Sequence, residues 1–553
     1  MFRPLPPWRS FLPFPAPPSR AETPPTHTQI HVHPTKGRGG EEGQAEESKR
    51  DSVDERMIRE NVQTEQQELE ALRPGGLLHY DYRSDAARAV KLPEKFRIVQ
   101  WNIERGIQYE RILQTLQALQ VDILVLQEVD INCRRSHYRN IARDLAEALR
   151  MEMYFACEFE ELDAVDRPPV HAVGPLSPPR ATTDDENDDG TSLHRQGRRF
   201  HGNAILSAHA TLSDPCVIRH TAGIDWETEG WKRHEPRHGF RNVLRCRIRR
   251  SERTHPQIPD LYVYCCHFEV FCGALSRVRQ LLDVVRDAAS VLKEEKQQQQ
   301  QQQRQQQQSA FIIAGDLNTM ADGIVRLATR FDLGRLRFFG VGEKEACWLQ
   351  RKVLSRHMRR SCCPFSYRFP FYLLGMLHET VWNGDLAWRW MYGFSEDEIA
   401  ALDNRLLCFY DPGDKALSIT LDNPAFHGFV RGKLDWLLLS NLRVAPPTLT
   451  EETVAALKDC GSITAETAST LSALQQKKML PQHGYVLFNE HFDASDHKGL
   501  LMHVQQHSGL PHETYPECGA MYTASWTHVG VFTLTRALPW VGLAFILYKQ
   551  WQR

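Results

Sequence analysis

Asp316 and Asn318 follow a short apolar run at residues 311–314, in the order Gly-Asp-Leu-Asn. The run is typical of a strand buried on both faces, and Gly315 allows a sharp turn where that strand ends. Because Asp316 and Asn318 are two residues apart, extended backbone points both side chains the same way. A carboxylate beside an amide can take a proton from a nucleophile and position a phosphate or a metal-bound water. The alternative for this stretch alone is an ordinary Asp/Asn turn.

Five other stretches place polar side chains beside predicted strands. The side chains are Asn102, Glu128, His267, Asp435, Asp496 and His497. The strands are 96–103, 121–128, 261–266, 434–439 and 499–504. Helical spacing of apolar residues at 110–119, 141–149 and 275–292 alternates with the first strands, which predicts an α/β layer structure.

The ordered set resembles a known family. The motifs that carry the resemblance are Trp101-Asn102-Ile103, Leu126-Gln127-Glu128, His267, Gly315-Asp316-Leu317-Asn318, Leu434-Asp435-Trp436 and Ser495-Asp496-His497. They resemble the endonuclease/exonuclease/phosphatase superfamily, the Mg²⁺-dependent phosphodiesterases related to DNase I. One such motif is weak evidence, but six in the family order are strong evidence. The resemblance implies a four-layer α/β sandwich, with two packed, mainly antiparallel sheets flanked by helices.

The resemblance also implies a magnesium site, with Mn²⁺ as the alternative ion. Glu128 would be the main metal ligand, with Asn102 beside it. Asp496 would be a further ligand or a support. These oxygen donors suit Mg²⁺, which keeps several waters and needs only one or two protein carboxylates.

The remaining residues of the set receive catalytic roles from the same resemblance. Asp316 would orient or deprotonate the attacking water, and Asn318 would hold a phosphate oxygen. His497 would contact the same phosphate or act as a general base, with its tautomer fixed by Asp435. His267 would be a general acid.

The carboxylate partner of His267 is open at this stage, and Glu158 is a candidate. Arg277 and Gln280 follow on a predicted helix. They either reach the site or lie on a solvated helix face.

Length and composition describe the chain as a whole. It has 553 residues, a net charge of −2 and 13 cysteines. An odd number of cysteines with no C-x-x-C pair indicates reduced thiols inside a cell. We expect a disordered leader at 1–93, a catalytic domain at 94–506 and a tail at 507–553. Insertions are expected within the domain at 162–199, 293–309 and 336–430, and the second includes a glutamine tract. We interpret the tract as a repeat expansion in a surface loop that tolerates insertions.

The tail contains residues 529–548, an apolar stretch interrupted by Arg536. It is long enough to span a bilayer, and an amphipathic or partly buried helix is the equal alternative. We therefore expect an intracellular monomer, cytoplasmic or attached to a membrane through this segment. Its partner would be a phosphodiester substrate, either a nucleic acid or a lipid or small molecule.

Three functions compete at the level of sequence. The first is a metal-dependent phosphoester hydrolase, either nuclease-like or a membrane-associated lipid or small-molecule enzyme similar to sphingomyelinases. The second is a non-catalytic scaffold, which predicts a broken metal or histidine position. The third is an assembly protein that acts through its glutamine tract.

Overall fold

A computed structural model describes most of the chain after residue 64. The described residues are 65–162, 197–233, 235–249, 259–272, 274–302, 309–321, 431–477 and 484–506, with short pieces within 393–422 and 545–552.

The strands, in chain order, are β1 Leu77–Asp81, β2 Lys95–Asn102, β3 Ile123–Ile131, β4 Glu152–Glu161, β5 Phe200–Ser207, β6 Leu212–Arg219, β7 Arg237–Gly239, β8 Asn242–Ile248, β9 Leu261–His267, β10 Ala310–Ala321, β11 Leu421–Asp422, β12 Arg431–Ser440, β13 Leu442–Val444, β14 Val486–Phe488 and β15 Gly499–Gln506. The helices are α1 Asp85–Ala89, α2 Tyr109–Leu119, α3 Ile141–Leu149, α4 Trp226–Lys232, α5 Ala274–Gln302, α6 Glu451–Asp459 and α7 Ala465–Gln476. Short 3₁₀ turns lie at Glu104–Gly106 and Arg134–Ser136.

The strands form two sheets. The nine-stranded sheet runs β1-β4-β5-β3-β2-β15-β13, with β14 beside β15 and β7 beside β4. The six-stranded sheet runs β11-β12-β10-β9-β8-β6. The pairs β2–β3 and β9–β10 are parallel. The remaining pairings between these strands are antiparallel, as the sequence predicted.

The two sheets pack face to face, and helices cover their outer faces. The apolar run of β3 is continuous because both faces of this strand are buried. Ile123 and Val125 join the core between the sheets, whereas Leu124 and Leu126 pack beneath α2 and α3. Helix α5 covers the smaller sheet in a third core that includes Leu281. The four-layer α/β sandwich is therefore confirmed.

The prediction of a disordered leader over residues 1–93 is wrong at its C-terminal end, where β1 lies. Strand β1 pairs in register with β4 along its whole length, and the buried Arg83 pairs with Asp81 and Glu152. An edge strand that buries only Leu78 and Tyr80 has too few apolar residues to stand out among polar neighbours. Residues 1–64 lie outside the described part of the chain.

Two element boundaries also differ from expectation. Helix α5 continues to Gln302 rather than ending at residue 292, so its last turns include the start of the glutamine tract. Strand β10 continues past Gly315 to Ala321.

Several expectations fall on residues that are not described. These are the insertion at 163–196, residues 303–308 and most of 336–430. The apolar tail segment 529–548 is also outside, apart from two residues. Within the described residues, we find no helix with the length and apolar character needed to cross a bilayer.

Candidate active site

The pairing of β10 brings three site residues side by side. β10 lies between β9 and β12, and its register places Asp316 opposite His267 on one side and opposite Asp435 on the other. In the larger sheet, Asn102 and Glu128 lie at neighbouring positions on the parallel strands β2 and β3. These two groups face each other because the sheets pack face to face.

Asn102 joins the two sheets at the site. Its amide nitrogen lies 3.1 Å from Glu128 Oε1 and 3.3 Å from Asp316 Oδ2. Its amide oxygen accepts a hydrogen bond from the backbone N–H of Glu104. Asn102 therefore lies beside Glu128 as expected, but it presents a hydrogen-bond donor to the carboxylates.

Asp316 lies at the centre of the set. Its Oδ2 atom is 3.7 Å from Nε2 of His267 and 3.8 Å from Nε2 of His497. Its Oδ1 atom accepts a hydrogen bond from the backbone N–H of Asn318. Burial raises the pKa of Asp316 to about 7, with His497 opposing and Asp435 adding to that rise. Asp316 can therefore gain and lose a proton near neutral pH.

All eight predicted side chains are brought together. Beyond the contacts already given, Asp496 Oδ1 lies 3.9 Å from His497 Nε2, and Asn318 donates its side-chain amide to the backbone oxygen of Phe268. The eight residues are Asn102, Glu128, His267, Asp316, Asn318, Asp435, Asp496 and His497.

His497 and Asp435 form a buried hydrogen-bonded pair, as the sequence predicted. Nδ1 of His497 lies 2.8 Å from Asp435 Oδ2, and Gln100 donates to the other carboxylate oxygen over 2.8 Å. Burial alone would lower the pKa of His497, but the charges of Asp435 and Asp496 raise it well above its ordinary value. These charges favour the protonated ring, and its Nε2 atom lies 3.8 Å from Asp316 Oδ2.

His267 has a different environment from His497. Its Nδ1 atom lies 2.8 Å from Nη1 of Arg241, which also lies 2.6 Å from Glu158 Oε2. Glu158 is 3.9 Å from the His267 ring, so it acts on the histidine through Arg241 and is not a direct hydrogen-bond partner. Burial, followed by the charge of Arg241, lowers the pKa of His267 well below its ordinary value.

A guanidinium group can only donate hydrogen bonds, so Nδ1 of His267 must be an acceptor. The single ring hydrogen of His267 then lies on Nε2, which faces Glu128 and Asp316 over 3.9 and 3.7 Å. His267 is thus a neutral hydrogen-bond donor. This geometry disagrees with the general-acid role that the family resemblance implied.

Four residues at the site have a left-handed backbone conformation. Glu104, Arg105, Glu128 and Asn318 have positive φ angles of 45°, 64°, 56° and 46°. Non-glycine residues adopt this region at a cost of about 1–3 kcal/mol each, which the surrounding packing must offset.

Gly315 has a different role from the expected turn at a strand end. A Cβ atom at this position would lie 1.8 Å from the backbone oxygen of Cys266 on the neighbouring strand. Glycine is needed because β9 and β10 approach closely just before Asp316, which holds Asp316 beside His267.

The donor atoms around Glu128 suit a hard divalent cation. Glu104, Glu128 and Asp496 supply carboxylates, and Glu104 also accepts from the backbone N–H of Asp496. Burial is the largest effect on Asp496, and with repulsion from Glu128 it raises the pKa of this carboxyl, although His497 opposes the change. A cation would offset that concentration of negative charge.

Glu128 remains ionised within this group of carboxylates. Burial opposes its ionisation, yet Arg105 and His267 hold its pKa well below the ordinary value. Because His267 is neutral, Arg105 is the effective cation, with Nε at 3.7 Å from Glu128 Oε2.

Three further side chains near the site are of types that can bind a metal ion. Ligand atoms of Glu158, His201 and His267 lie within 4.8 Å of one another. Arg241 already places a positive charge between Glu158 and His267, so we assign no metal ion to this group.

Sequence reasoning missed four buried residues of the site: Gln100, Glu104, His201 and Arg241. Glu104 could have been found, because it follows Asn102 by two residues where β2 ends. The other three had no recognisable signal, since each is a single polar residue within or beside a strand.

Arg277 and Gln280 lie neither in the site nor on a solvated face. Both are buried in α5, where Arg277 donates to the backbone oxygen of Cys272 and Gln280 accepts from the N–H of Glu269. Gln280 also donates to the backbone oxygen of Ala222. They fix the loop that follows His267.

The end of the expected 336–430 insertion packs directly on the catalytic strands. The Thr420 hydroxyl accepts from the backbone N–H groups of Leu434 and Asp435 over 2.9 and 3.2 Å. Leu421 forms a bridge with His497. Further along, the fully buried Lys433 pairs with Asp411 at 2.9 Å.

Comparison with known proteins identifies a family for this chain. The sequence matches the Endonuclease/Exonuclease/phosphatase family over residues 99–497, which is more than half of the chain. A comparison with curated proteins found no match.

Comparison with solved structures found matches at low identity, including the following three. An endonuclease/exonuclease/phosphatase from Beutenbergia cavernae is 15% identical, with 74% of this chain and 72% of that chain covered and a TM-score of 0.30. The human Nocturnin catalytic domain with bound sulfate is 14% identical, with coverages of 76% and 97% and a TM-score of 0.33. ANGEL2, a 2',3'-cyclic phosphatase, in complex with adenosine-2',3'-vanadate is 12% identical, with coverages of 74% and 96% and a TM-score of 0.34.

The family match covers the span from β2 to His497, and that span contains all eight of the assembled residues. The chain therefore belongs to the endonuclease/exonuclease/phosphatase family of hydrolases that act on phosphoester bonds.

Proposed function

We propose that this chain hydrolyses phosphodiesters by attack of water on phosphorus, with Mg²⁺ or Mn²⁺ held by Glu128 and Asp496. The observation that carries the proposal is the position of Asp316. Its carboxylate lies between the Nε2 atoms of His267 and His497, at 3.7 and 3.8 Å. A carboxyl with a pKa of about 7 between two ring N–H donors matches a base that faces a bound phosphate.

Each residue then has one task. Asp316 accepts a proton from the attacking water, and Asn102 orients Asp316 by donating to it. The charged ring of His497 binds a phosphate oxygen through Nε2–H. Of the two roles considered for His497, phosphate contact is favoured because a cationic ring cannot act as a base.

His267 donates a hydrogen bond from Nε2 to the same phosphate and remains neutral throughout. A bound divalent cation would neutralise phosphate charge and stabilise the leaving oxygen.

The scaffold alternative predicted a broken metal or histidine position. No such break is found among the described residues, because all eight residues are present and contact one another. The catalytic function is therefore the better supported one.

The direct test uses the full-length chain and bis(4-nitrophenyl) phosphate. We expect release of nitrophenol that stops with EDTA and returns with Mg²⁺ or Mn²⁺. Asp316→Asn should lower turnover by about 10²- to 10⁴-fold, because it removes the base while keeping the shape. Turnover that survives both chelation and Asp316→Asn would contradict the proposal.

The class of substrate needs a separate screen. DNA, RNA, sphingomyelin vesicles and phosphoinositides should be offered to the full-length chain with and without Mg²⁺. The lipid alternative further proposes that residues 529–548 hold the chain on a membrane. Fractionation with a carbonate wash tests this, and a chain found only in the soluble fraction would remove its main support.

A further inference from the structure

Gln127 lies in the Leu-Gln-Glu motif of β3 and has no role in the proposed mechanism. Gln100 lies on the neighbouring strand β2, two residues before Asn102, and both glutamine side chains are fully buried. Ile98 and Val125, two residues earlier on the same strands, belong to the apolar core between the sheets. Because residues two apart share one face of a strand, the glutamines are the last buried layer before the site.

Gln100 connects Gln127 to the pair of Asp435 and His497. Its Nε2 atom lies 2.7 Å from Gln127 Oε1 and 2.8 Å from Asp435 Oδ1. An amide nitrogen carries two hydrogens, so each of these acceptors receives one. The other oxygen of Asp435 lies 2.8 Å from Nδ1 of His497. A continuous series of hydrogen bonds therefore joins Gln127 to His497.

The orientation of Gln127 is set at the far end of this series by Cys265. Burial raises the pKa of the Cys265 thiol, so the sulfur keeps its hydrogen. That hydrogen is donated to the backbone oxygen of Leu126 over 3.3 Å, and the sulfur accepts from Gln127 Nε2 over 3.2 Å. Since the amide nitrogen of Gln127 faces Cys265, its oxygen faces Gln100. Gln100 must then present its own amide nitrogen, which is the end that Asp435 can accept from.

The glutamine layer is not explained by stability. Oε1 of Gln100 is buried and has no hydrogen-bond partner among the residues that the structure describes. A buried carbonyl without a donor destabilises a fold, and a partly satisfied polar network is less stable than an apolar core. Ile98 shows that an apolar side chain fits this face of β2. The bond to Asp435 is what a glutamine adds at position 100.

We propose that Gln127 is a positioning residue for the pair of Asp435 and His497 and that it acts through Gln100. The inference rests on the proposed phosphodiester hydrolysis, in which His497 binds the phosphate. Gln127 holds the amide nitrogen of Gln100 against Oδ1 of Asp435, which leaves Oδ2 to hold Nδ1 of His497. The direction in which Nε2 of His497 meets the phosphate then depends on Gln127, which is hydrogen-bonded to neither residue of the pair.

A measurement without substrate or metal tests the positioning itself. The Nδ1–H of His497, bonded to a buried carboxylate, should give a far-downfield proton resonance in the ¹⁵N-histidine-labelled full-length chain. Loss of the signal in His497→Gln identifies it. Gln100→Met and Gln127→Met should both shift this resonance, because Met keeps the side-chain length but offers only a weak acceptor and no donor. Ile98→Val is the matched control, since it changes the same buried face and should leave the resonance unmoved.

Turnover of bis(4-nitrophenyl) phosphate with Mg²⁺ tests the consequence for the reaction. Gln100→Met should lower turnover by about 10- to 10²-fold, which corresponds to one hydrogen bond to a charged group. Gln127→Met should lower turnover in the wild-type background. In the Gln100→Met background it should add less than about twofold, because its connection to Asp435 is already broken. Ile98→Val should leave turnover unchanged in both backgrounds.

An effect through the metal must be separated, because Gln127 directly precedes Glu128. The Mg²⁺ concentration for half-maximal turnover should be the same in Gln127→Met as in the wild type. A rise in that concentration would show that Gln127 acts through Glu128, which overturns the inference. If Gln127→Met does not fold, as judged by thermal unfolding, Gln127→Leu carries the same tests.

An unmoved His497 resonance in Gln127→Met would overturn the inference even where turnover falls. Losses in turnover that multiply in the double variant of Gln100 and Gln127 would overturn it as well. If the wild-type chain hydrolyses no diester with any metal while the resonance responds as expected, the proposed function is wrong and the positioning of His497 stands without it.

Discussion

Arg241 donates a hydrogen bond to Nδ1 of His267 over 2.8 Å, and this contact determines which proton the histidine carries. The same guanidinium lies 2.6 Å from Glu158, so a cation separates the carboxylate from the ring. At His497, by contrast, the carboxylate of Asp435 contacts the ring directly. The two histidines of the site therefore have opposite kinds of hydrogen-bond partner, and His497 is charged whereas His267 is neutral.

The first prediction concerns Arg241. Arg241→Met would leave Glu158 buried and unpaired, and removing one partner of such a pair costs about 3–5 kcal/mol. We expect a large loss in the free energy of unfolding and a fall in turnover. Arg241→Gln keeps an amide donor for His267 Nδ1, so it should retain more turnover than Arg241→Met. Chemical denaturation and steady-state kinetics measure both effects, and equal turnover in the two variants would argue against a role for the Nδ1 contact.

The second prediction concerns the pair of Asp435 and His497. Asp435→Ala and His497→Ala should each lower turnover, and the double variant should lose little more than either single variant. Residues that act as a unit are non-additive, because the first substitution already removes their shared function. Losses in turnover that multiply in the double variant would show that the two residues act independently.

The third prediction concerns Thr420 as a positioning residue. Thr420→Val keeps the shape but removes the acceptor for two buried N–H groups, which costs about 1–3 kcal/mol of stability. Because one N–H belongs to Asp435, we expect turnover to fall with little change in KM. Thr420→Ser restores the hydroxyl and should restore turnover.

Thr115 offers the matched control for Thr420. It is a buried threonine whose hydroxyl is 2.8 Å from that of Ser462, in the helical layer on the outer side of the larger sheet. Thr115→Val should lower stability and leave turnover unchanged. If Thr420→Val behaves in the same way, Thr420 has only a structural role.

The fourth prediction concerns His503 and the pH dependence of stability. Burial, followed by the charge of Arg97, lowers the pKa of His503 to about 4, and Nε2 is buried with no partner in the described part of the chain. Below pH 6.5 the unfolded chain binds a proton that the folded chain rejects. Stability should therefore fall as the pH drops from 6.5 to 4, by up to about 3 kcal/mol.

His503→Asn isolates this effect, because Asn keeps an acceptor for the N–H of Thr448 and does not titrate. The difference in unfolding free energy between wild type and variant, measured by urea denaturation at several pH values, should change across this window. A difference that is constant with pH would show that His503 protonates equally in both states.

The fifth prediction concerns Glu128 and the metal. Glu128→Gln keeps the side chain's size but removes its charge, so it should raise the Mg²⁺ concentration needed for half-maximal turnover and lower turnover by orders of magnitude. Titration of Mg²⁺ against initial rate measures both. An unchanged Mg²⁺ dependence would exclude Glu128 as a metal ligand.

The sequence by itself determined the fold class and predicted eight of the residues that meet at the candidate site. Each of the motifs Gly-Asp-Leu-Asn, Leu-Gln-Glu and Ser-Asp-His is local, so residue type and distance to a strand can be read along the chain. The apolar runs of β3 and β10 were also readable, because strands covered on both faces are apolar throughout. The edge strand β1 was missed because it buries alternate residues only.

Only the tertiary structure decided how the histidines are partnered. Arg241 and His267 are brought together by β8 and β9, and Asp130 and His201 by β3 and β5. A single buried Arg or His has no periodicity, and its sequence neighbours do not reveal the residue it faces across a sheet. The protonation of a buried histidine depends on that facing residue, because a carboxylate accepts a hydrogen bond where a guanidinium donates one. Eight residues of the site could therefore be predicted from the sequence, whereas the protonation of the histidines depends on contacts that only the packed sheets create.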